Sequence, residues 1–458
     1  MIIDDLSTKY TLANNWILRT DPYYKSREYS VYDINSRLTL YVTRSCYILL
    51  KIFSQRALSF SDLYSAIEKK NIEVDWDGFE YLCNKIAPLK FLVQSEVPLY
   101  KNDNFVCGDG GSGYDVPVAS TPFSAELHFT HRCNLRCKHC FQNSSPDSSL
   151  YTELGVSEWL GIFEQLESCK MHHITLSGGE IMFHPHFSDV FNEIVNRKIS
   201  YSVLTNGTLV NNHNVEALSR KNVSSTISLD GHSEEIHDKI RGKGAYNKVI
   251  KNIKLLVEHG AKVSLAYTIN SYNYPYLKEA IELAHSLGVK GLLFSFTDGI
   301  GRAKENLSLV LSISQREAAK QNFSQLEEVY RDALELSMVE FAVPKRVLKF
   351  DDKVFCTAGT THIGISSDGK LYPCVYAFGY EELVVGDLTK ENLKDIWENR
   401  EKWKMFRGGF SLEKIDTCST CALNRKCALR NCRLRSYAEG RSFYNKPIEC
   451  AIDYSVAL

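Results

Sequence analysis

Between residues 123 and 302 short apolar runs alternate with longer amphipathic stretches, the pattern of a parallel α/β fold. Residues 125–130, 172–176, 201–205, 223–229, 263–269 and 291–296 read as strands. Of the segments between them, Ser157 is placed to cap a helix through Cys169, Phe187, Phe191, Ile194 and Val195 mark a second, and residues 274–287 form another. Residues 305–348 read as largely helical and bridge to the last part of the chain.

The N-terminal region has a different rhythm. Residues 29–42 alternate around Asn35-Ser36, as a hairpin should. Thr43 then caps a helix whose Cys46, Leu49, Leu50 and Phe53 share one face. Leu63, Ala66 and Ile67 mark a second helix, and Phe79, Leu82, Cys83 and Ile86 a third that Pro88 ends before a returning strand at 91–93. Residues 1–98 are therefore expected to form a small winged-helix-like module, with Cys46 and Cys83 in its core. Residues 99–122, with Gly108, Gly110, Gly111 and Gly113, read as a flexible linker in which Cys107 is a solvated thiol. The α/β region spans 123–348 and a cysteine-rich region 349–458.

Composition narrows the class. A chain of 458 residues suggests two to four domains. With 44% hydrophobic residues and a net charge of −1, it shows no polybasic face for nucleic acid or an anionic membrane, and neither is expected as a partner. Glu68, Glu73, Asp75, Asp77 and Glu80 crowd the place where a DNA-reading winged helix would be basic. The first residues lack a signal-peptide pattern, and no apolar run approaches the ~18 residues of a membrane span, so a cytoplasmic location is expected. Fourteen cysteines in such a chain point to metal or cluster ligation rather than disulfides.

The chemistry gathers where strands end, as it does in parallel α/β folds. Cys133, Cys137 and Cys140 follow the first strand with C-x-x-x-C-x-x-C spacing. Cluster thiolates normally come in fours, so three suggest a [4Fe–4S] cube with one iron left for substrate. Zinc held with His131 or His139 is the competing reading. Ser177-Gly178-Gly179-Glu180 follows the second strand, and Ser228-Leu229-Asp230-Gly231, with Arg241 beyond, follows the fourth. Further cysteines stand at 356, 374, 418, 421, 427, 432 and 450.

Together these motifs resemble the radical S-adenosylmethionine (SAM) enzymes, whose fold is an open, partial (β/α) barrel. The resemblance implies that Cys133, Cys137 and Cys140 bind a [4Fe–4S] cluster whose free iron chelates SAM, and that an electron then cleaves SAM to a 5′-deoxyadenosyl radical. It further implies that Gly178, Gly179 and Glu180 approach the methionine amino group, that Ser228 contacts the ribose and that Arg241 binds the carboxylate. His139 and Ile269 would lie against the adenine, His139 standing where the family usually has another aromatic residue.

The C-terminal cysteines resemble the SPASM extension, which holds two auxiliary iron–sulfur clusters. By position Cys418, Cys421, Cys427 and Cys450 would bind one cluster, and Cys356, Cys374 and Cys432 the other, with no evident fourth cysteine. The Cys427 to Cys432 spacing is one residue longer than usual, and Val375 stands where sulfatase-maturing relatives place an Asp base. Residues 1–98 resemble the precursor-peptide recognition domain of ribosomal peptide maturases, in which a leader adds as a strand to a sheet edge. The expected function is oxidative cross-linking of a precursor peptide, as a thioether, with a flavodoxin or ferredoxin as electron donor. The alternatives are carbon–carbon cross-linking, epimerisation or formylglycine formation, and, from another class, a non-catalytic zinc-binding regulator.

Overall fold

The structure, a computed structural model, describes residues 8–21, 28–70, 74–86, 92–95, 97, 118–149, 152–339, 356–408, 410, 414–421, 432–440 and 442–445. In the N-terminal region β1 (Lys9–Leu12), β2 (Trp16–Thr20), β3 (Tyr29–Asp33) and β4 (Thr39–Tyr41) precede α1 (Arg44–Gln55), β5 (Leu58–Ser59), α2 (Phe60–Lys70), α3 (Trp76–Ile86) and β6 (Leu92–Gln94). The expected hairpin is β3–β4, and the Thr43 side chain caps α1 by accepting from the Cys46 N–H. Cys46, Leu49, Leu50 and Phe53 pack with Leu63, Ile67, Phe79 and Cys83 in one core. β1 and β2 were not anticipated. β1 lies between β5 and β6, and β2 pairs with β3.

The central region runs β7 (Ser124–Thr130), α4 (Val156–Ser168), β8 (His173–Gly178), α5 (Phe187–Ile194), β9 (Ser200–Thr205), α6 (Val215–Leu218), β10 (Val223–Ser228), α7 (Glu234–Arg241), α8 (Ala245–Glu258), β11 (Val263–Ile269), α9 (Leu277–Ser286), β12 (Gly291–Phe296), α10 (Ile313–Tyr330) and β13 (Glu335–Val339). β7 to β13 lie in sequence order and pair in parallel, as a partial (β/α) barrel does. Period-two alternation explains the layers: along β10 and β11, Val223, Ser225, Ile227, Val263, Leu265 and Tyr267 are buried, whereas Ser224, Thr226, Ser264 and Thr268 on the other face are half-buried. The buried apolar face packs under Trp159, Phe163, Phe191 and Ile253 of the helices in one continuous core.

β13 corrects the expectation that 305–348 is largely helical. Its residues Glu-Leu-Ser-Met-Val form an edge strand half-buried only at alternate positions, so it offers little apolar signal. The C-terminal region, β14 (His362–Ile365), β15 (Lys370–Tyr372), β16 (Gly386–Asp387), α11 (Leu393–Glu398), α12 (Arg400–Trp403), α13 (Asp416–Ser419) and α14 (Arg433–Gly440), extends the same sheet. β14 pairs in parallel with β7, and β15 and β16 follow antiparallel. Among the described residues no helix is long and apolar enough to cross a membrane.

The β2–β3–β4 sheet sits against the amino-terminal ends of β8 and β9, opposite the face where chemistry is expected. The Tyr32 ring stacks on His172 at 4.4 Å, and its hydroxyl meets the Ser200 hydroxyl at 2.6 Å. Arg37, at the hairpin turn, donates to Ser202 Oγ, Ser224 Oγ and the Tyr201 carbonyl. Of the expected linker, 99–117 lies outside the described residues, but Val118, Ala119, Ser120 and Thr121 are buried rather than solvated. Buried Arg19 grips Asp21 with two hydrogen bonds of 2.8 and 2.9 Å and donates to the carbonyls of Thr121, Pro122, Cys169 and Lys170. Asp21 in turn accepts from the Ser120 N–H and hydroxyl.

Arg19→Ala leaves Asp21 buried without its guanidinium, and the expected loss is about 3–5 kcal/mol of unfolding free energy in a urea titration. A loss under about 1 kcal/mol would mean that this junction carries no weight.

Candidate active site

The cysteine triplet lies on a segment without helix or strand that crosses the carboxyl ends of the sheet, so its shape depends on neighbours. The Cys133 N–H donates to the Ser145 carbonyl (3.0 Å) and the Lys138 N–H to the Ile240 carbonyl (3.0 Å). Arg302 reaches across from beyond β12, its guanidinium donating to the Cys137 (2.8 Å) and Ser144 (2.6 Å) carbonyls and its N–H to the Cys140 carbonyl. Gly179 donates to the Thr130 carbonyl and Glu180 to the Arg132 carbonyl, both at 2.9 Å. A Cβ at Gly179 would sit 2.1 Å from the Arg132 oxygen, and one at Gly178, whose φ is +133°, 2.2 Å from the Thr130 oxygen. The glycine pair is thus demanded by its packing on the start of the cysteine segment, a reason separate from any approach to a ligand.

Behind the triplet is a buried carboxylate. Asp230 Oδ2 accepts from Arg241 Nε at 2.5 Å and lies 3.2 Å from His139 Nε2, while Oδ1 accepts from the Thr268 N–H at 2.8 Å. Burial alone would raise this carboxyl, but Arg241 and then His139 hold it well below the usual carboxylate range. One side chain thereby ties the cysteine segment, α7 and the end of β11 together. Arg241 also reaches to 4.0 Å from Cys137 Sγ, and the Asn206 side-chain amide points at Cys133 Sγ (3.8 Å).

These residues wall one cavity of about 810 Å³, within the range of small-molecule sites. Cys133, Cys137, Cys140, His139, Gly178, Gly179, Ser228 and Arg241 all line it. Two expected contacts do not. Glu180 is fully buried behind the wall, its carboxylate accepting from Thr205 Oγ1, Asn206 N and Met182 N. Ile269 points into the hydrophobic core, and Thr268, its neighbour on the alternating strand, faces the cavity instead. The sequence reading missed Asp230 and Asn206 as site residues, although Asp230 stood inside the Ser228–Gly231 motif.

The donor set fits the cofactors that the sequence implies: three thiols for a cluster, then peptide edges, a hydroxyl and a guanidinium for a charged amino-acid ligand. Burial pushes the Cys133 thiol up to about 12 and Cys137 up to about 11, with Arg241 opposing the latter; the three cysteines would hold a cluster as thiolates.

The C-terminal region contributes Tyr376 to the cavity wall. Tyr376, two residues past Cys374, meets the Phe141 ring edge-on at 5.4 Å, and Phe141 directly follows Cys140. Cys432 raises the thiols of both Cys356 and Cys374, and Cys356 raises that of Cys374, burial being the larger cause in each. Arg435 on α14 pairs with Asp298, beyond β12, at 3.0 Å and fastens that region to the barrel. Cys418 and Cys421 stand at α13, whereas Cys107, Cys427 and Cys450 lie outside the described residues.

Residues 127–284 match the Radical SAM superfamily model, and residues 356–422 match that of SPASM, an iron–sulfur cluster-binding domain. The chain thus contains a radical SAM region followed by a SPASM region, which go with a [4Fe–4S] cluster, SAM and auxiliary iron–sulfur clusters as cofactors. It is 27% identical over 281 residues to the antilisterial bacteriocin subtilosin biosynthesis protein AlbA of Bacillus subtilis (strain 168), covering 61% of this chain and 60% of AlbA, less than two thirds of that relative's length. It is 26% identical over 351 residues to the AdoMet-dependent heme synthase of Methanosarcina barkeri (strain Fusaro / DSM 804), covering 73% and 98%. Streptococcus suis SuiB bound to precursor peptide SuiA shares the fold, with a TM-score of 0.68 at 15% identity over 96% of this chain and 98% of that one.

Asp230→Asn should weaken SAM binding by about tenfold or more, the worth of one misdirected charge-assisted hydrogen bond. Calorimetry on the anaerobically reconstituted protein measures it, and unchanged affinity would show that Arg241 is oriented by something else.

Proposed function

We propose that this chain is a peptide maturase that oxidatively cross-links a ribosomally made precursor, forming a thioether between a cysteine sulfur and a peptide carbon. The observation that carries this reading is the shared wall: Tyr376, two residues past Cys374, lines the same cavity as Cys133, Cys137 and Cys140. When bound, the cluster and SAM supply the 5′-deoxyadenosyl radical that removes hydrogen from an unactivated carbon. The chain's own residues position the reactants: Ser228, Arg241 and the Gly178–Gly179 edge for SAM, His139 beside it, and Phe141, Phe296 and Tyr376 for the substrate. SuiB, of like fold, binds a precursor peptide, and AlbA takes part in making a bacteriocin, which supports a peptide rather than a tetrapyrrole as the substrate. Formylglycine formation is disfavoured because Val375 has no group to accept a proton. The reducing electron would come from a flavodoxin or ferredoxin in the cytoplasm.

The N-terminal module is the proposed leader site, and β4 is its acceptor edge. β2, at the opposite side of that sheet, is buried, whereas β4 is flanked by exposed Leu38 (37%) and Tyr41 (44%). The Val42 N–H donates to the Tyr29 carbonyl across the ladder, so β4 is paired with β3 on one side and forms the other edge of this sheet. Excising the module would strip Arg19 and Tyr32 from the barrel, which makes a point variant the cleaner probe.

With SAM, a reductant and a synthetic peptide copied from the short cysteine-containing reading frame nearest the gene, the expected product lacks two hydrogens per cross-link by mass spectrometry. Replacing Cys133, Cys137 and Cys140 with Ala should remove about four irons per chain and all 5′-deoxyadenosine. A native chain that cleaves SAM but leaves every such peptide unaltered sinks the peptide reading.

Leu38→Glu with Tyr41→Glu puts charge on the two exposed apolar side chains at that edge. Leader affinity should fall about tenfold or more by fluorescence anisotropy, while SAM cleavage without peptide stays unchanged. Equal affinity would move the leader to another edge.

A further inference from the structure

Among the described residues, the acidic groups at or just behind the cavity wall differ in how they are held. Asp230 and Glu180 are fully buried and committed to protein partners. Glu317 lines the cavity from α10 but is 57% exposed and pairs with Lys320 at 2.9 Å. Asp298 also lines the cavity, two residues past the end of β12, where catalytic groups of parallel barrels are carried. It is 23% exposed and pairs with Arg435, three residues beyond Cys432. Tyr376, two residues past Cys374, lines the same cavity as Asp298.

The reaction proposed above needs a proton acceptor at that wall. Joining a C–H carbon to an S–H sulfur breaks both bonds, forms one C–S bond and releases two protons and two electrons. One hydrogen atom, a proton and an electron, goes to the 5′-deoxyadenosyl carbon. The second electron goes to an oxidant of the iron–sulfur class, and the second proton needs a base. Val375 cannot serve, having no group to accept a proton.

We propose that Asp298 is this base, taking the second proton from the substrate as the cross-link forms and passing it to water at its exposed edge. The inference rests on the peptide-oxidation reading. Arg435 holds the carboxylate against the cavity wall, and because it comes from the SPASM region, the base is in place only when that region is docked.

The test uses the reconstituted full chain and the same synthetic peptide, perdeuterated, and reads three quantities: deuterium in 5′-deoxyadenosine, cross-linked peptide, and 5′-deoxyadenosine per cross-link. Asp298→Asn should still acquire deuterium, showing that hydrogen abstraction persists, while cross-linking slows by about 10²-fold and the ratio rises accordingly. Asp298→Glu should recover part of the loss. Arg435→Gln breaks the same ion pair but keeps the carboxylate, and should retain clearly more cross-linking than Asp298→Asn. Iron content and thermal midpoint of each variant show whether it is folded and loaded. Cross-linking by Asp298→Asn at the native rate overturns the proposal. So does an equal loss in Arg435→Gln, which would make the pair a latch between domains. Absence of deuterium transfer by the unaltered chain overturns the peptide reading itself, and this proposal with it.

Discussion

The site depends on a carboxylate that never reaches the cavity. Asp230 is wholly buried, a position tolerable for a charge only when opposite charge and hydrogen bonds surround it. Arg241, His139 and the Thr268 N–H supply them, and each belongs to a different part of the active face. The cysteine segment has no internal secondary structure, so this contact through His139 is one of the few that fix its position relative to α7 and β11. Arg302, bridging the Cys137 and Ser144 carbonyls from the other side, is its counterpart.

The two ends of the barrel carry different tasks. At the carboxyl ends Ser228, Thr268 and Ser295 remain half-buried and line the cavity, as ligand binding requires. At the amino-terminal ends similar hydroxyls, Ser200, Ser202 and Ser224, are consumed by Tyr32 and Arg37 of the N-terminal module. The module therefore covers what would otherwise be a polar opening in the floor. The buried stretch from Val118 to Thr121 joins all three regions: Ser120 bonds to Asp21, Thr121 to the Cys169 carbonyl, and the Ala119 carbonyl accepts from the Trp397 indole.

How much of this was legible follows from how local each signal is. The six central strands were readable because both faces are constrained, giving apolar runs or strict alternation bounded by turns. The edge strand β13, exposed at alternate residues, gave a pattern too weak to separate from the neighbouring helix. Cysteine spacing announced the cluster segment, and Gly178–Gly179 announced a close approach, but only the structure shows that the Thr130 and Arg132 carbonyls make that approach. Ile269 was placed one residue off, a slip that on a strand moves a side chain to the opposite face. Contacts such as Asp298 with Arg435 join segments far apart in sequence and leave no periodic trace.

The spacing of the two cysteine regions is set by the sheet rather than by loops. β7 leads directly into the Cys133 segment, and β14, beside it in parallel, returns through β15 to Cys374. Gly364 stands opposite Glu126 in that pairing, and a Cβ there would lie 2.9 Å from the Cys374 carbonyl carbon. The absent side chain is what lets the Cys374 turn lie on the sheet and bring Tyr376 toward Phe141. A one-residue slip between β7 and β14 would turn the inward face of β14 outward and carry the Cys374 turn away from the cavity. Hydrogen-bonded register is stiffer than any loop of comparable length, so a substrate held between the two walls meets a fixed gap, as radical chemistry at a single carbon demands.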